Sequence, residues 1–413
     1  MDAWARNVSH SEVQRTRKSG VTLCRVGSEL KLRVFESIGE VSRAAWNALL
    51  RPNDAPVLRH EWIDAMEASG SAVASRGWQA AHLTLWRGEQ LIAACPAFEK
   101  HHSMGEYIYD FGWANAAQQL GVEYYPKLVI GLPLSPLTAR RFLVASGEDE
   151  AQLRAQLLTA AEDFAKDRGC SSVHVLFPPE DEALALEGAG LFRRSTMQYH
   201  WRNPGYRTWD DYLGRFDSKR RNQFKRERAA AAQQGLTLRT VRSGELTKDH
   251  AELAWRFYQA TASRHSWGPV QLTRDFFLRA FAKMPDAIEL VTASRANGEV
   301  VAGAFNLHTP ERLYGRYWGC FEEFPFLHFH VCLYHSIDDS IQRGLQVFEP
   351  GAGGEHKISR GFEPTVIHSV HRIFHKRLDA AIADFCRRER AQVEGVTGRS
   401  EEISGLKPWP PPA

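Results

Sequence analysis

The sequence has few of the features that place a chain in a specialised class. Its six cysteines form no CxxC pair and are widely spaced, at positions 24, 95, 170, 320, 332 and 386. This spacing excludes a dense disulfide framework and predicts reduced thiols. No apolar run approaches the ~20 residues that span a bilayer, and the polar N-terminus lacks the apolar core of a signal peptide. The sequence therefore predicts a cytoplasmic protein without a membrane span.

The chain also lacks a strong charge of one sign and the common nucleotide-binding motifs. Its net charge is +3 and its pI is about 8.5, which does not favour a dedicated nucleic-acid binder. Neither a Walker loop nor a GxGxxG fingerprint is present. With 43% hydrophobic residues over 413 positions, the composition is that of a globular protein too long for one core. Two domains are predicted.

Changes in composition along the chain predict where those domains begin and end. Residues 1–30 are predicted to form a flexible leader, and residues 391–413 a flexible, Pro-rich tail. The first domain is predicted over 31–200, and the second, which is predicted to carry the active site, over 201–390. An insertion at 101–145 is rich in aromatic residues, glycine and proline. It is predicted either to line a pocket or to pack between the two domains.

The order of the predicted elements repeats in the two halves. Each copy has a strand hairpin, then an amphipathic helix that ends at glycine, a strand and a Gly-aromatic turn. In the two copies these features lie at 87–89 and 297–299 (hairpin turns), Gly169 and Gly344 (helix ends), and 190–192 and 361–362 (Gly-aromatic turns). The repeat predicts a duplicated α/β unit.

A basic segment opens the second half. Six cations fall within the ten residues from Lys219 to Arg228, on a predicted helix capped by Asp217 or Ser218. Such a helix start can hold phosphate of a coenzyme or an RNA backbone, with Lys219, Arg220 and Arg221 as candidate cofactor-binding residues. The alternative is an ordinary solvated helix face.

A glycine-rich segment, FEPGAGGEHKISRGFEPT at 348–365, has the densest set of reactive side chains. Its glycines allow a tight turn and close approach to a ligand, and acid, base and cationic groups follow directly. The candidate cofactor-binding residues are Gly351, Gly353 and Gly354, and the candidate catalytic residues are Glu355, His356 and Lys357. The alternative is a structural glycine-rich connection.

The candidate substrate-binding residues lie on either side of that segment. Arg316, Tyr317 and Trp318 belong to a predicted strand near the pocket, and Arg316 is suited to clamp a carboxylate or phosphate. Arg360 and Phe362 complete this set.

Histidines and a cysteine recur on the predicted helix between these two segments. His328, Cys332 and His335 would share one face of that helix, with His330 nearby, which is a spacing that metal ligands use. No adjacent carboxylate completes a known metal signature, and such residues are more often core residues. No metal is predicted.

From about Phe35 to Phe374 the sequence resembles the FemAB-like predicted N-acyltransferases, described as peptidoglycan biosynthesis/recognition proteins. The motifs that carry the resemblance are GWQAAHL (77–83), GEYIYDFGWA (105–114), YYPKLVIGLPLSPLTARR (124–141), SKRRNQFKRER (218–228), LYGRYWG (313–319) and the glycine-rich segment. The resemblance implies an α/β fold with mixed sheets, built from two tandem GNAT-like acyltransferase domains. It also implies acyl or aminoacyl transfer from an acyl-CoA or aminoacyl-tRNA co-substrate to a small-molecule or peptide amine, without a tightly bound cofactor.

In that chemistry Glu355 or His356 would serve as the base, and Lys357, Arg360 or backbone N–H groups of 351–354 would stabilise the oxyanion. The chain departs from Fem-type ligases, because it lacks their Phe-Lys-x-Gly-Phe-Gly ending and has His330 where glutamate is expected. The GNAT pyrophosphate loop also has no match. Two alternatives remain: a non-catalytic binding module for a cell-wall precursor, peptide or nucleotide-bearing ligand, and RNA or tRNA binding through Lys219–Arg228.

Overall fold

Strands and helices are mixed along the whole chain in the computed structural model, which describes residues 17–18, 21–26, 30–263, 270–399 and 403–409. The strands are β1 (Arg17–Lys18), β2 (Val21–Val26), β3 (Leu30–Phe35), β4 (Trp78–Ala80), β5 (His82–Arg87), β6 (Gln90–Cys95), β7 (Ala97–Lys100), β8 (Lys127–Ile130), β9 (Leu143–Val144), β10 (Ser172–Leu176), β11 (Phe192–Arg202), β12 (Leu236–Val241), β13 (Ile288–Arg295), β14 (Val300–His308), β15 (Arg312–Cys320), β16 (Val347–Glu349) and β17 (Glu363–Ile373). The helices are α1 (Arg43–Asn47), α2 (His60–Ala68), α3 (Phe111–Gln119), α4 (Glu150–Asp167), α5 (Glu180–Gly188), α6 (Trp209–Gly214), α7 (Ser218–Gln233), α8 (Lys248–Ala262), α9 (Arg274–Lys283), α10 (Leu327–Phe329), α11 (His335–Arg343) and α12 (Lys376–Thr397).

These strands form two mixed sheets. Across the described residues, one sheet has the order β1-β2-β3-β5-β6-β9, and the other has the order β12-β13-β14-β15-β16-β11-β17-β10-β8-β7-β4. Two neighbouring pairs, β8 with β10 and β15 with β16, run parallel, and the other pairs are antiparallel. The predicted α/β class with mixed sheets is therefore confirmed.

The predicted repeat is visible in the order of the elements. Both predicted hairpins form, β5 with β6 and β13 with β14, and helices α4 and α11 each lead into a strand of the large sheet. The last strands of the two copies, β11 and β17, pair with each other from Phe192–His371 to His200–Glu363. Because β17 lies between β10 and β11, the large sheet continues across the domain boundary predicted at residue 200.

The two halves also share one hydrophobic core. Trp62 of α2 packs edge-on against Phe276 at 5.0 Å between ring centroids and stacks on Phe305 at 6.4 Å. Leu132 and Leu137, from the aromatic insertion, are buried in the same core. The insertion therefore packs against residues of both halves, as one of its two predicted roles requires.

The ends of the chain differ from the flexible segments predicted for them. β2 lies inside the predicted leader but pairs with β3, and the rest of that leader apart from β1 and Leu30 lies outside the described residues. At the other end, α12 continues to Thr397, and the Trp409 ring packs against Tyr206 at 5.2 Å. The Lys407 backbone N–H donates to the Arg215 carbonyl at 2.8 Å. Trp409 in the predicted tail is thus packed, because it finds an aromatic partner, whereas most of residues 391–399 are exposed.

Two further sequence expectations concern thiols and membranes. Cys95, Cys170, Cys320, Cys332 and Cys386 are free. Within the described ranges, no helix combines the length and the apolar character needed to cross a bilayer.

The parallel pair β15 and β16 positions the site. The two strands pair from Arg312–Val347 to Tyr314–Glu349, where β16 ends. Beyond this point β15 continues to Cys320, whereas the segment after β16 turns away at Pro350 and continues through the glycines of the glycine-rich segment. Because the pairing ends here, a gap opens between β15 and the segment that follows β16.

Candidate functional site

A cleft of about 750 Å³ lies between β15 and the glycine-rich segment. One wall is formed by Gly315–Trp318 and another by Pro350–Gly354 with His356 and Lys357. The remaining walls come from four other parts of the chain, namely Tyr107, Tyr109 and Pro136 of the insertion, Tyr258, Thr261 and Ala262 of α8, Ala304 and Asn306 of β14, and His328, Cys332 and Leu333 of the helical segment before β16, together with Phe348. The insertion therefore lines a pocket as well as packing between the halves.

A lysine holds the glycine-rich loop in place. The Lys357 ammonium donates hydrogen bonds to the carbonyl oxygens of Gly351 and Gly353, at 2.9 and 2.8 Å. Lys357 is only 6% exposed, and burial lowers its pKa from 10.5 to about 8. The ammonium form thus links two points of the loop at neutral pH.

The loop presents backbone donors. Gly351, Gly353 and Gly354 all have positive φ angles, and the 3-10 helix Glu355–Arg360 follows at once. Within the described residues, the backbone N–H groups of 352–356 have no protein acceptor. Consecutive free N–H groups in such a turn are suited to an anion or a developing oxyanion.

Two imidazoles line the cleft beside each other, in an edge-to-face arrangement. The ring centroids of His328 and His356 are 6.1 Å apart, and His356 is exposed at the cleft edge. Gly354 permits this arrangement, because a Cβ there would lie 2.8 Å from the His356 ring. Burial and the positive charges of Lys357 and Arg360 lower the pKa of His356. Burial and the same cationic turn lower the pKa of His328 to about 4. Both rings are therefore neutral at pH 7 and able to accept a proton.

Arg316 brings a cation to the opposite wall. Its Nη2 atom donates to the Leu134 carbonyl at 2.5 Å and to the Tyr317 hydroxyl at 3.1 Å. Its Nε atom is buried without a protein partner among the described residues. Since no carboxylate among the described residues pairs with this guanidinium, Arg316 is suited to bind an anionic group of a ligand.

Three predicted residues near the glycine-rich loop lie outside the cleft lining. Glu355 is exposed to solvent. Phe362 is fully buried and packs on Phe348 at 5.6 Å. Arg360 is buried, and its guanidinium donates to Glu227, Tyr334 and the His356 carbonyl. Arg360 was predicted to bind substrate, but its guanidinium is instead bonded to protein groups.

The basic segment forms helix α7, with Asp217 as the predicted N-cap accepting from the Arg220 N–H. Arg220 donates to the Ser359 carbonyl at 2.9 Å and Arg221 to the Phe216 carbonyl at 2.6 Å. Lys219 is exposed. These three candidate cofactor-binding residues do not line the cleft, but Arg220 places the helix directly against the 355–360 turn.

The predicted histidine face forms only in part: His328 and Cys332 both line the cleft, but His330–Tyr334 is a π-helical turn between α10 and α11. The α-helical spacing that would align His328, Cys332 and His335 does not hold across such a turn. His335 instead bonds to the Thr240 hydroxyl at 2.8 Å. Among the described residues, no group of three or more His, Cys, Asp or Glu is placed to hold a metal ion.

Several cleft residues were not singled out from the sequence. Tyr107 and Tyr109 adopt positive φ angles of 62° and 51°, a strained conformation that is enriched at functional sites. Their insertion carried a signal as an aromatic-rich segment, whereas Tyr258 of α8 carried none. The sequence pattern offers His328 as a metal ligand or a core residue, whereas the structure places its neutral ring in the cleft lining.

A second cleft of about 830 Å³ lies elsewhere, near Arg51, Arg59 and Arg343. Each of these arginines is paired with a carboxylate: Arg51 with Glu150, Arg59 with Asp286, and Arg343 with Glu289 and Asp339. The cleft beside β15 is smaller, but among the described residues it has an arginine without a carboxylate partner, Arg316, and the backbone N–H groups of 352–356 without a protein acceptor.

Several solved structures match this chain at low identity. FemX matches with 12% identity and a TM-score of 0.50, over 83% of this chain and 99% of its own. A tandem GNAT protein from the clavulanic acid biosynthesis pathway has 12% identity and a TM-score of 0.41, over 84% and 98%. L-PGS from Bacillus licheniformis has 10% identity and a TM-score of 0.45, over 82% and 99%. At such identity the FemX match establishes a common fold, not an activity.

The predicted α/β class with mixed sheets is confirmed, and the chain shares the fold of FemX. The GNAT-like character of its two halves stays a prediction. A search of curated protein sequences gives no match. The FemAB-like family profile, described as peptidoglycan biosynthesis/recognition, matches residues 37–407. The chain belongs to the FemAB-like family.

Proposed function

We propose that this protein is an N-acyltransferase that moves an acyl or aminoacyl group to an amine in the cleft beside β15. The observation that supports this most is the neutral imidazole of His356 next to the free backbone N–H groups of 352–356. A base for the amine and donors for the oxyanion are the two groups that acyl transfer requires. Family membership in peptidoglycan biosynthesis/recognition supports the same assignment.

The proposed reaction needs no covalent enzyme intermediate. The neutral acceptor amine attacks the carbonyl carbon of the donor, and His356 takes the amine proton as the C–N bond forms. The negative charge on the carbonyl oxygen is stabilised by the N–H groups of 352–356. As the tetrahedral intermediate collapses, the C–S or C–O bond to the donor breaks, and the imidazolium returns its proton to the leaving thiolate or ribose oxygen.

Arg316 is proposed to bind an anionic group on one of the two substrates. An acyl-CoA and an aminoacyl-tRNA both have phosphates, and a peptide or other small amine acceptor can have a carboxylate. Tyr107 and Tyr317 flank this guanidinium and offer aromatic surface on the same side. We place the reaction in the cytoplasm, where both donor classes are made.

The test is mass spectrometry of reactions that contain the purified protein, an amine acceptor panel and either acyl-CoAs or charged tRNAs. We expect one donor class to be consumed with formation of an acylated amine. His356→Gln should lower kcat by about 10²–10⁴-fold, and Arg316→Gln should mainly raise KM. Binding of a donor or acceptor without turnover would instead favour a non-catalytic binding module.

A further inference from the structure

A buried ion pair lies directly behind His356. The Glu227 carboxylate, on the inner face of α7, accepts from Arg360 Nη2 at 2.9 Å, from Gln223 at 2.7 Å and from the Tyr334 hydroxyl. The side chains of Arg360 and Glu227 are 6% and 3% exposed. Burial opposes ionisation of Glu227, but these three donors hold its pKa below the ordinary value. The pair is therefore charged on both sides.

Arg360 connects this ion pair to His356 at the cleft. Its Nη1 atom donates to the His356 carbonyl at 3.0 Å, and its Nε atom donates to the Tyr334 hydroxyl at 2.9 Å. Its guanidinium also lies 3.5 Å from the ring centroid of Phe329, a ring that packs on His356 at 5.5 Å. Both the backbone and the ring of His356 thus rest on groups that Arg360 orders.

We propose that Glu227 and Arg360 form a positioning pair that fixes the 355–360 turn and sets the charge environment of His356. The inference rests on the proposed function, because it assigns the pair to the base of that reaction. Neither residue touches the cleft, so each acts through His356. The pair also couples the basic helix α7 to the reacting groups, although the cationic face of α7 lies outside the cleft.

The charged and titratable groups around His356 come from three elements. Lys357, Arg360 and Glu355 belong to its own turn, and His328 and Tyr334 lie in the helical segment before β16. Glu227 lies behind Arg360 on α7, and Arg220 of the same helix donates to the Ser359 carbonyl. Lys357 and Arg360 lower the pKa of His356 in addition to burial. Removing the charge of Arg360 should therefore raise this pKa, whereas removing the charge of Glu227 should lower it, because the field of Arg360 is then uncompensated.

The experiment is an NMR titration of the full chain labelled at histidine Cε1, with the His356 signal assigned by His356→Gln. Wild type is compared with Arg360→Gln and Glu227→Gln, and kcat and KM are measured on the same samples. We expect the pKa of His356 to move up in Arg360→Gln and down in Glu227→Gln. We also expect kcat to fall about 10–100-fold in both, with little change in KM, because the base is misplaced.

The matched control is Glu389→Gln. It breaks the bidentate pair of Glu389 with Arg194, at 2.7 and 2.9 Å, which joins α12 to β11 and does not line the cleft. This control should leave the His356 titration unchanged. If Arg360→Gln does not fold, Glu227→Gln still decides the matter, since it retains a hydrogen-bond acceptor of the same size.

An unchanged His356 pKa in the soluble variants would overturn the proposal and reduce the pair to a structural contact. Opposite pKa shifts in the two variants would support it, even if the wild type transferred no acyl group. A wild type that transfers no acyl group would refute the proposed function, separately from the positioning pair.

Discussion

Two clusters of ionisable groups, one in each half, differ in how their charges are satisfied. In the first half, Lys127 donates to Glu106 at 2.8 Å, to Asp110 at 2.5 Å and to Ser103 at 3.0 Å, and none of these groups is accessible to more than a few per cent. Burial would raise the pKa of Asp110, but Lys127 holds it at about 2. Here the Lys127 ammonium is sealed from solvent together with two carboxylates, of which Asp110 is ionised while burial raises the pKa of Glu106 to about 7.

In the second half, the groups of the cleft lack such partners. Lys357 is held by carbonyl oxygens, Arg316 has no carboxylate partner among the described residues, and His356 and His328 are neutral. The cleft is also open to solvent. Charged groups paired in a dry core contribute to stability, because removing one partner leaves the other buried and unpaired. Groups without a charged partner at an open cleft are available to a ligand.

The largest expected effect is on the sealed cluster. Lys127→Met should lower the free energy of unfolding by about 3–5 kcal/mol, because two buried carboxylates lose their cation. Urea denaturation measures this change. The matched control is Lys225→Met on the exposed face of α7, which should change stability by less than about 0.5 kcal/mol. Similar losses in the two variants would break the distinction between the clusters.

Acid should weaken the sealed region through His174. This buried ring contacts His371 across β10 and β17 at 2.7 Å, and burial with the nearby Lys127 charge lowers its pKa from 6.5 to about 3. The unfolded chain therefore binds an extra proton below pH 6.5, so this contribution to stability is present above pH 6.5 and is lost as pH falls toward 3. The loss from His174 amounts to about 2 kcal/mol at pH 5.

Urea denaturation of wild type and His174→Asn at pH 7 and pH 5 tests this. Glu106, whose pKa burial raises to about 7, acts in the opposite direction, whereas His371, whose pKa burial and His174 lower, acts in the same direction. The difference between the two proteins therefore reports the contribution of the His174–His371 pair. The stability of the variant should depend less on acid. An identical dependence would contradict the assignment.

Lys357→Met should affect activity more than stability. Loss of the two ammonium hydrogen bonds frees the loop at Gly351 and Gly353, and kcat/KM should fall about 10–100-fold. In wild type, the ammonium is present below its pKa of about 8, so activity should decline as pH rises through 8. The variant should lack this decline. A pH–rate profile of both proteins measures it, and a persistent decline in the variant would assign the titration to another group.

The smallest effect is expected from Gly353→Ala. The φ angle of 74° costs a non-glycine residue about 1 kcal/mol, and no neighbour lies within 4 Å of the added methyl group. The control Gly395→Ala lies in α12, where the same methyl group should stabilise by about 0.5–1 kcal/mol. Thermal unfolding compares the two, and equal signs would show that backbone strain at the loop is absent.

Local features were predictable because they depend on neighbours in sequence. The Asn297–Glu299 turn, the Asp217 cap and the helix end at Gly344 all follow from local backbone preferences, and each forms where expected. The partners of Arg360 were not predictable, because Glu227 and Tyr334 are separated from it by 133 and 26 positions. The π-helical turn at His330–Tyr334 also escaped prediction, since α-helical spacing was assumed there.

The sequence by itself determined the repeat, the mixed α/β class, the family and the segment 351–357 that borders the cleft. The repeat and the class follow from hydrophobic periodicity and turn residues. The family follows from the resemblance of the motifs to those of known sequences. Only the tertiary structure decided that Arg360 is paired and that His328 and Tyr107 join the cleft. The physical reason is that burial and charge pairing depend on which distant segments the sheet brings together.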